Sequence, residues 1–470
     1  MKRVRIERDS LGEKKVPADA YYGVQTVRAI ENFPVSGIRP FDVFIKATAM
    51  VKRAAAEANM ATGCLDKRIG MAIVKAAEEI INGRFHDQFV VDVYQAGAGT
   101  SHNMNANEVI ANRAIGLLGG KKGDYTIVHP NDHVNMSQST NDTFPTAMRI
   151  ASLFMIKELL QVLKGLEDSI LKKARDFDNI IKSARTHLQD AVPIRLGQEF
   201  KAYGIAISKA KVWIEDASTS LKELGIGATA AGTGLNTHPD YRRKVIKALR
   251  EITGIKNLKA SEDMLESISS MADFVKVSSS LRGLAIELTR IANDLRFLSS
   301  GPRTGLAEIT LPPVQPGSSI MPGKVNPVMA EMLNMVVFQV IGNDLAISMA
   351  AQSGQLELNV MMPVINYNLL SSIGILKNGV KVFTERCVKG IGVDVDRCKE
   401  MADKTLGLAT VLNPYIGYEK AVEVAKEAFR TGETVKEVVL RKGILSREDV
   451  EEVFDPFGMT GPRACIRKKS

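Results

Sequence analysis

This sequence contains few aromatic residues and few cysteines, and their scarcity disfavours several protein classes. Its 470 residues include one tryptophan, 6% aromatic residues and four cysteines, with no C-x-x-C pair. Scarce aromatics argue against a β-sandwich, whose strands are rich in aromatic and β-branched residues. Cysteines this far apart indicate neither a disulfide framework nor a zinc site, and they fit a reducing cytoplasm. They stand at Cys64, Cys387, Cys398 and Cys465.

The sequence also lacks the segments typical of secreted and membrane proteins. Its first residues, MKRVRIERD, are charged and contain no apolar core of a signal peptide. One uncharged run at residues 358–376 is long enough to cross a bilayer, but it carries several asparagines and Pro363, which lipid accommodates only at a cost. We therefore predict a buried helix there, a cytoplasmic protein and no membrane partner.

The charge balance argues against a nucleic-acid partner. The net charge is +9, yet basic residues are interspersed with acidic ones almost everywhere, and only the two ends are strongly basic. A nucleic-acid footprint needs clustered basic charge. A mildly positive field instead favours a small anionic substrate.

What the sequence does contain is a succession of helical patterns. Residues 1–140 alternate short periodic segments with turn-rich loops, residues 141–395 carry long amphipathic stretches, and residues 396–470 carry shorter ones. We predict these ranges as an N-terminal domain, a central long-helix bundle and a small helical C-terminal domain, in a fold that is mainly all-α. Long helices are expected at residues 143–177, 195–224, 262–299, 327–350 and 363–390.

One of these predicted helices, at residues 327–350, is apolar on nearly every side. A surface helix needs only one apolar stripe, so this helix should be surrounded by neighbours. A single layer of helices within one chain would not surround it. We therefore expect the chain to assemble into an oligomer around this helix.

The most informative segment is GSSIMPGKVNP, residues 317–327. It places two serine hydroxyls, the amine of Lys324 and the amide of Asn326 directly before an apolar helix. Pro327 suits the first helical position, where the positive end of the helix dipole favours an anion. This combination predicts a carboxylate-binding loop that also lowers the pKa of a serine enough for it to act as a base. The alternative is a solvated Ser/Gly/Pro loop without a ligand.

Three further loops are rich in small hydroxyl and amide groups. Each alone is explained by capping and turn chemistry, because Ser, Thr, Asn and Asp side chains bond to nearby backbone. Together with the serine segment they supply uncharged donors for two carboxylates. No Ser-His-Asp order, Walker loop or metal-ligand spacing competes with that interpretation. These loops lie at residues 97–105, 137–142 and 185–190.

Taken together, the motifs resemble the fumarase/aspartase superfamily, whose members add or remove a small group across the double bond of a fumaryl unit. The similarity runs from Ile6 to about Pro462 and includes VPADAYYGVQT, GTSHNMNANEVIANR, HPNDHVNMSQSTND, RTHLQDAVP, GTGLN, GSSIMPGKVNP and GQLELNV. It implies a homotetramer whose central domains form a twenty-helix core, with each active site built from three subunits. His129, Asn131 and Asp132 also resemble a second anion site of fumarases.

The resemblance implies roles for individual residues. Ser318, as an oxyanion, is expected to remove a proton beside a substrate carboxylate, while Lys324 and Asn326 stabilise the developing charge. His187 contacts a substrate carboxylate, or pairs with a glutamate matching Glu331 to orient a water, or has only a structural role. The carboxylate itself holds the electrons, so no organic cofactor and no metal are expected. The remaining substrate-binding residues are Thr100, Ser139, Thr140, Asn141, Thr186 and Ser319.

Two named branches of the family, another member of it and one inactive relative stay open. YYGVQT, SGQLELN and the tail DPFGMTGPRACIRKKS resemble aspartases, which release ammonia from L-aspartate. Thr186-His187, THPDY and HPND are shared with fumarases, and Met362 departs from the acidic residue common in aspartases. We favour the ammonia-lyase branch, with hydration of fumarate as the alternative. A crystallin-like relative without activity is disfavoured, because the residues that carry the chemistry are all present.

Overall fold

Helices account for most of the residues in the structure, a computed structural model that describes residues 3–462. The chain divides into two compact units, each assembled from three separate parts of the sequence. The first unit comprises residues 3–161, 211–285 and 336–377, and the second comprises residues 162–210, 286–335 and 378–462. The mainly helical fold class predicted from the sequence is confirmed.

The described part of the chain contains sixteen α-helices, of which α5 is the longest at 37 residues. They are α1 Val24–Asn32, α2 Asp42–Ala61, α3 Lys67–Ile81, α4 Thr100–Leu117, α5 Thr140–Asp176, α6 Leu196–Ser218, α7 Tyr241–Thr253, α8 Met264–Ser269, α9 Ala272–Leu298, α10 Val328–Gln352, α11 Met362–Arg386, α12 Val395–Lys404, α13 Asn413–Ile416, α14 Tyr418–Thr431, α15 Val435–Arg441 and α16 Arg447–Val453.

Strands are few, and in the described residues they form four two-stranded sheets. The pairs β1–β2, β3–β4 and β7–β8 are antiparallel, and β5–β6 is parallel. Their ranges are β1 Val4–Asp9, β2 Gly12–Pro17, β3 Ile181–Thr186, β4 Gln189–Arg195, β5 Glu223–Leu224, β6 Lys259–Ala260, β7 Ile309–Thr310 and β8 Gly392–Val393.

In the first unit, α2 packs against α3 and α7, and α4 packs against α3. The core between them is made of small and branched apolar side chains such as Ala77, Ile80 and Ile110. Alanine-rich faces let the helix axes approach closely. Buried polar side chains on α4 contact the loop that connects α4 to α5. In the second unit, α14, α15 and α16 form a separate apolar cluster that includes Val424, Val438 and Val453.

The five predicted long helices are confirmed as α5, α6, α9, α10 and α11, with shifted ends. The pattern at residues 262–299 is interrupted, because Ser270 adopts an extended backbone between α8 and α9. Its Oγ accepts a hydrogen bond from the Ala272 N–H at 3.3 Å, which caps the start of α9. The division into three domains at residues 140 and 395 stays a prediction.

Helix α10 is long and apolar enough to cross a bilayer by length and composition alone. Its buried face nevertheless makes polar contacts with protein: Asp344 accepts from Ser278 Oγ at 2.6 Å and pairs with Arg282 at 3.0 Å. Asn343 donates to Ser372 Oγ at 3.0 Å. These contacts join α9, α10 and α11 and make α10 a bundle helix. Along its opposite face, apolar side chains are exposed at Met335, Phe338, Leu345 and Met349.

Candidate active site

Thr100 stands at the start of α4, and its side chain is exposed. The preceding Gly99 has φ +89°, and a Cβ there would lie 2.2 Å from the Phe144 ring, so only glycine fits this turn. Thr100 lines a cavity of about 530 Å³ together with Ser101, His129 and Asn131. Thr100 therefore borders open space, and two members of the fumarase-like second anion motif border the same space.

The segment from Ser139 to Asp142 is held by one carboxylate. Ser139 Oγ accepts from the Asn141 N–H at 3.2 Å, and Asp142 Oδ1 accepts from the Ser139 N–H at 3.0 Å. The other oxygen, Oδ2, accepts from the Gly227 N–H at 3.0 Å and the Thr229 N–H at 2.9 Å. Asp142 is fully buried, so this carboxylate ties the start of α5 to a loop about 85 residues further along the chain.

Asn141 adds a second connection to the same loop, because its Nδ2 donates to the Ala230 carbonyl at 2.7 Å. The neighbouring Ser139 is half-buried, whereas Thr140 is buried. Burial raises the pKa of Asp142 to about 6, although the three backbone N–H groups favour its ionised form. The hydrogen-bond pattern fits that ionised form, since backbone N–H groups donate to both oxygens.

Behind this segment lies a buried amide network with a lysine at its centre. Lys52 Nζ donates to Asn135 Oδ1 at 2.9 Å and to Gln138 Oε1 at 3.0 Å. Asn103 Nδ2 donates to the same Asn135 oxygen at 3.2 Å. Burial lowers the pKa of Lys52 to about 7. The loop that precedes Ser139 is therefore fixed from within the first unit by side chains on α2 and α4.

In the second unit, Thr186 and His187 lie at the exposed tip of the β3–β4 hairpin. His187 and Leu188 both have left-handed backbone conformations, with φ +55° and +60°. A two-residue turn of this kind normally uses Asn-Gly, because positive φ brings Cβ close to the backbone, which Gly avoids and Asn tolerates better than most residues. Leu188 is 70% exposed. Strain of this type at an exposed tip is typical of functional sites.

A buried ion cluster supports this hairpin from below. Glu308 is fully buried and pairs with Arg185 at 2.8 Å and with Lys182 at 3.1 Å. Lys182 also pairs with Glu199 at 2.9 Å. Because Arg185 directly precedes Thr186, the cluster fixes the strand that presents the hairpin tip. Within residues 3–462, no hydrogen bond or ion pair joins His187 to Glu331.

The serine loop, defined here as residues 316–327, is exposed over most of its length. Ser318 Oγ accepts from the Ile320 N–H at 3.2 Å and from the Met321 N–H at 2.9 Å. Two N–H donors aimed at one hydroxyl oxygen favour its deprotonated form. The loop closes on itself, because the Gly317 N–H donates to the Lys324 carbonyl at 2.7 Å and Asn326 Nδ2 donates to the Gly317 carbonyl at 2.7 Å.

Two sequence-based expectations about this loop are adjusted by the structure. Helix α10 begins at Val328, so Pro327 immediately precedes the helix instead of occupying its first position. One amide N–H of Asn326 is used inside the loop, because the positive φ of Gly323 turns the chain back on itself. The ammonium of Lys324 is exposed and makes no ion pair with any residue from 3 to 462.

The predicted site residues thus fall into two groups, one in each unit. The first unit holds Thr100, Ser139, Thr140 and Asn141, and the second holds Thr186, His187, Ser318, Ser319, Lys324 and Asn326. Sequence reasoning missed the buried charges that support them, namely Lys52, Asp142 and Glu308. The sequence signal for Asp142 was its position three residues after the capping Ser139.

Comparison with known proteins identifies the family. A lyase family profile matches residues 12–342, and a profile of the fumarase C C-terminus matches residues 408–461. An aspartate ammonia-lyase from a Bacillus species is 51% identical over 465 residues, which is 99% of each chain. The chain belongs to the fumarase/aspartase superfamily of lyases.

Solved structures of this superfamily share the fold of the whole chain. A fumarate lyase:delta crystallin from Brucella melitensis bound to cobalt is 49% identical with a TM-score of 0.95, covering 98% of this chain and 100% of that one. A class II fumarase from Schistosoma mansoni is 36% identical with a TM-score of 0.94 over the same shares. The superfamily predicted from the serine segment and the polar loops is therefore confirmed.

Proposed function

We propose that this chain is an aspartate ammonia-lyase, which converts L-aspartate reversibly to fumarate and ammonia. The observation that carries the proposal is the 51% identity, over 99% of both chains, with a protein of that name. Identity with the fumarase is lower, at 36% over 98% of this chain. The geometry of the serine loop supports proton abstraction by Ser318, because its hydroxyl faces two N–H donors in the same loop as the exposed Lys324.

In the proposed step, the Ser318 oxyanion removes a proton from Cβ of L-aspartate. The electrons of that C–H bond move onto the adjacent carboxylate and form a doubly charged aci-carboxylate. Lys324, Asn326 and backbone N–H groups of the loop stabilise this charge. The C–N bond then breaks, ammonia leaves with the bonding pair, and the aci-carboxylate electrons form the double bond of fumarate. The step needs no organic cofactor, since the substrate carboxylate holds the electrons.

The substrate is held by hydroxyl and amide groups that leave its charges intact. Thr100, Thr186 and Ser319 are exposed and available for this role. Ser139 and Asn141 contribute from the segment that Asp142 fixes, with Thr140 between them. His187 binds a substrate carboxylate from the hairpin tip. His187 is exposed at that tip and is therefore accessible to a ligand.

An assay with two substrates tests the proposal. We expect ammonia release and fumarate absorbance from L-aspartate, and no fumarate from L-malate. Fumarate from L-malate alone would make the chain a fumarate hydratase. Absence of both activities in a folded sample would support an inactive, crystallin-like relative.

We also propose that the chain works as a cytoplasmic homotetramer with a twenty-helix core. The exposed apolar stripe on α10 supports assembly, because Met335 and Leu345 are 64% and 63% exposed in the single chain. Patches of this kind mark protein interfaces. Light scattering should give four times the mass of one chain. Leu345→Glu should reduce that mass and the activity together, whereas a monomeric wild-type enzyme with full activity would contradict the assembly.

A further inference from the structure

A second cavity of about 690 Å³ lies in the first unit, and none of the proposed substrate-binding residues lines it. Its walls come from the loop at residues 227–239 and from one face of α7. No aspartate or glutamate lines it. The side chains with hydrogen-bonding or charged groups around it are Thr233, Thr237, His238, Arg242, Arg243 and Arg250.

The positive charge around this cavity is poorly compensated by the protein. Arg242 is half-buried and makes no ion pair with any residue from 3 to 462. Arg250 uses its Nε to donate to the Leu258 carbonyl at 2.6 Å, and Arg243 pairs with Asp240 at 2.9 Å. Arg242 and Arg243 also stand in the first turn of α7, where the helix dipole disfavours positive charge; Asp240 at the N-cap pairs with Arg243 and leaves Arg242 without an acidic partner among residues 3–462.

The cavity has the size and the donors of a small-molecule anion site. Ligand pockets usually enclose about 300–1,000 Å³. Guanidinium groups bind phosphate and carboxylate groups with paired hydrogen bonds, and threonine hydroxyls add further donors. We propose that this cavity binds a small polyanion carrying phosphate or carboxylate groups, as a site distinct from the substrate site.

The wall of the cavity is also physically connected to the segment that carries Ser139 and Asn141. Gly227 lines the cavity, and its N–H donates to Asp142 Oδ2 at 3.0 Å. Three residues later, the Ala230 carbonyl accepts from Asn141 Nδ2 at 2.7 Å. A ligand that fixes this loop therefore changes the support of the substrate-binding segment. Coupling between two such sites is reciprocal, so the polyanion and the substrate alter each other's affinity.

Binding is tested by calorimetry on the full-length protein, with pyrophosphate and the rigid tricarboxylate benzene-1,3,5-tricarboxylate as separate probes, since neither is an analogue of L-aspartate. Arg242→Glu/Arg250→Glu should weaken binding of at least one probe about tenfold or more. Lys247→Glu is the control, since Lys247 lies on the same helix, is changed from a positive to a negative side chain and does not line the cavity. The probe that is lost identifies the ligand as phosphate-type or carboxylate-type. Equal binding by the double variant and the control, for both probes, would overturn the site.

The coupling between the cavity and the substrate site rests on the proposed function, and it is measured separately from binding, through the KM for L-aspartate. A saturating concentration of the binding probe should change the KM for L-aspartate several-fold in the wild type and in Lys247→Glu, but not in the double variant. Binding without any change in KM would overturn the coupling. If the protein shows no ammonia-lyase activity, the calorimetric result still decides whether the site exists. Arg242→Gln/Arg250→Gln repeats the test with neutral side chains if the charge-reversed protein does not fold.

Discussion

The two polar segments proposed to act on the substrate differ in how the protein holds them. The segment at residues 135–142 is tied to α2, to α4 and to the loop at residues 227–230 by hydrogen bonds, of which the bond from Gly227 N–H to Asp142 is fully buried. In the described structure, the hydrogen bonds of residues 317–326 connect the serine loop only to itself and to Val328. Segments with few buried contacts open at the lowest free energy. We therefore expect the proposed substrate-binding segment to be preorganised and the loop that bears the proposed base to be able to close.

Replacing the proposed base should have the largest effect on activity, and it tests whether the serine loop carries the chemistry. Ser318→Ala should lower kcat for L-aspartate about 10²–10⁴-fold, because general-base catalysis contributes that much. The exposed loop should tolerate the change with the Tm unaltered. Steady-state kinetics and a thermal scan measure both quantities. A variant that keeps more than a tenth of the wild-type activity would exclude Ser318 as the base.

Removing the charge of the buried Asp142 carboxylate tests whether the segment at residues 135–142 is preorganised. Asp142→Asn keeps the shape but turns an NH₂ group toward backbone N–H donors, so we expect a loss of about 2–4 kcal/mol in the free energy of unfolding. The value of kcat/KM should fall about 10–100-fold, mainly through KM, because Ser139 and Asn141 lose their fixed positions.

Asp92→Asn is the matched control for that experiment. Asp92 is also buried and accepts from the N–H groups of Ser36, Gly37 and Tyr94 at 2.7–2.8 Å. It should lower the free energy of unfolding by a similar amount while leaving kcat/KM nearly unchanged. If both variants lose kcat/KM equally, Asp142 supports the fold in general and has no specific role in positioning the site.

Much of this arrangement could be predicted from the sequence, and the remainder has a physical explanation. The long helices followed from apolar periodicity, and the serine loop followed from its unusual density of hydroxyl, amine, Gly and Pro groups. The β3–β4 hairpin did not, because His187-Leu188 lacks the Gly or Asn that marks a two-residue turn. Lys52, Asp142 and Glu308 were missed as supporting charges, since burial of a charge depends on partners that are distant in sequence.

Removing one substrate ligand should have a smaller effect than removing the base. Asn141→Ala loses its hydrogen bond to the Ala230 carbonyl, which costs about 1 kcal/mol of stability, and it loses its contact with a substrate carboxylate, which costs about 1.5–3 kcal/mol of binding. We therefore expect kcat/KM to fall at least tenfold with only a small change in Tm. A loss of activity that simply follows the loss of folded protein would favour a structural role for Asn141.

The smallest expected effect is the pH dependence that Asp142 gives to stability and to substrate affinity. Burial raises the pKa of Asp142 from 3.8 to about 6, so its folded form binds the proton more tightly than its unfolded form. The stability that this group contributes is fully present below pH 3.8 and is lost as the pH rises through about 6, by about 1–3 kcal/mol. Substrate affinity should change in the opposite direction, because only the ionised carboxylate accepts all three N–H bonds. Subtracting the Asp142→Asn profiles from the wild-type profiles isolates both slopes; flat differences would exclude Asp142 as the titrating group.

Hydrogen exchange with and without a substrate analogue tests directly whether the serine loop closes on the substrate while residues 135–142 stay fixed, because it follows both segments in one sample. Residues 317–325 should exchange rapidly in the free protein and become protected when succinate binds, as Ser318 is carried to the substrate. Residues 137–142 should be protected equally in both states. Identical protection of residues 317–325 with and without the analogue would show that the serine loop does not close on binding and that the site is rigid and preformed.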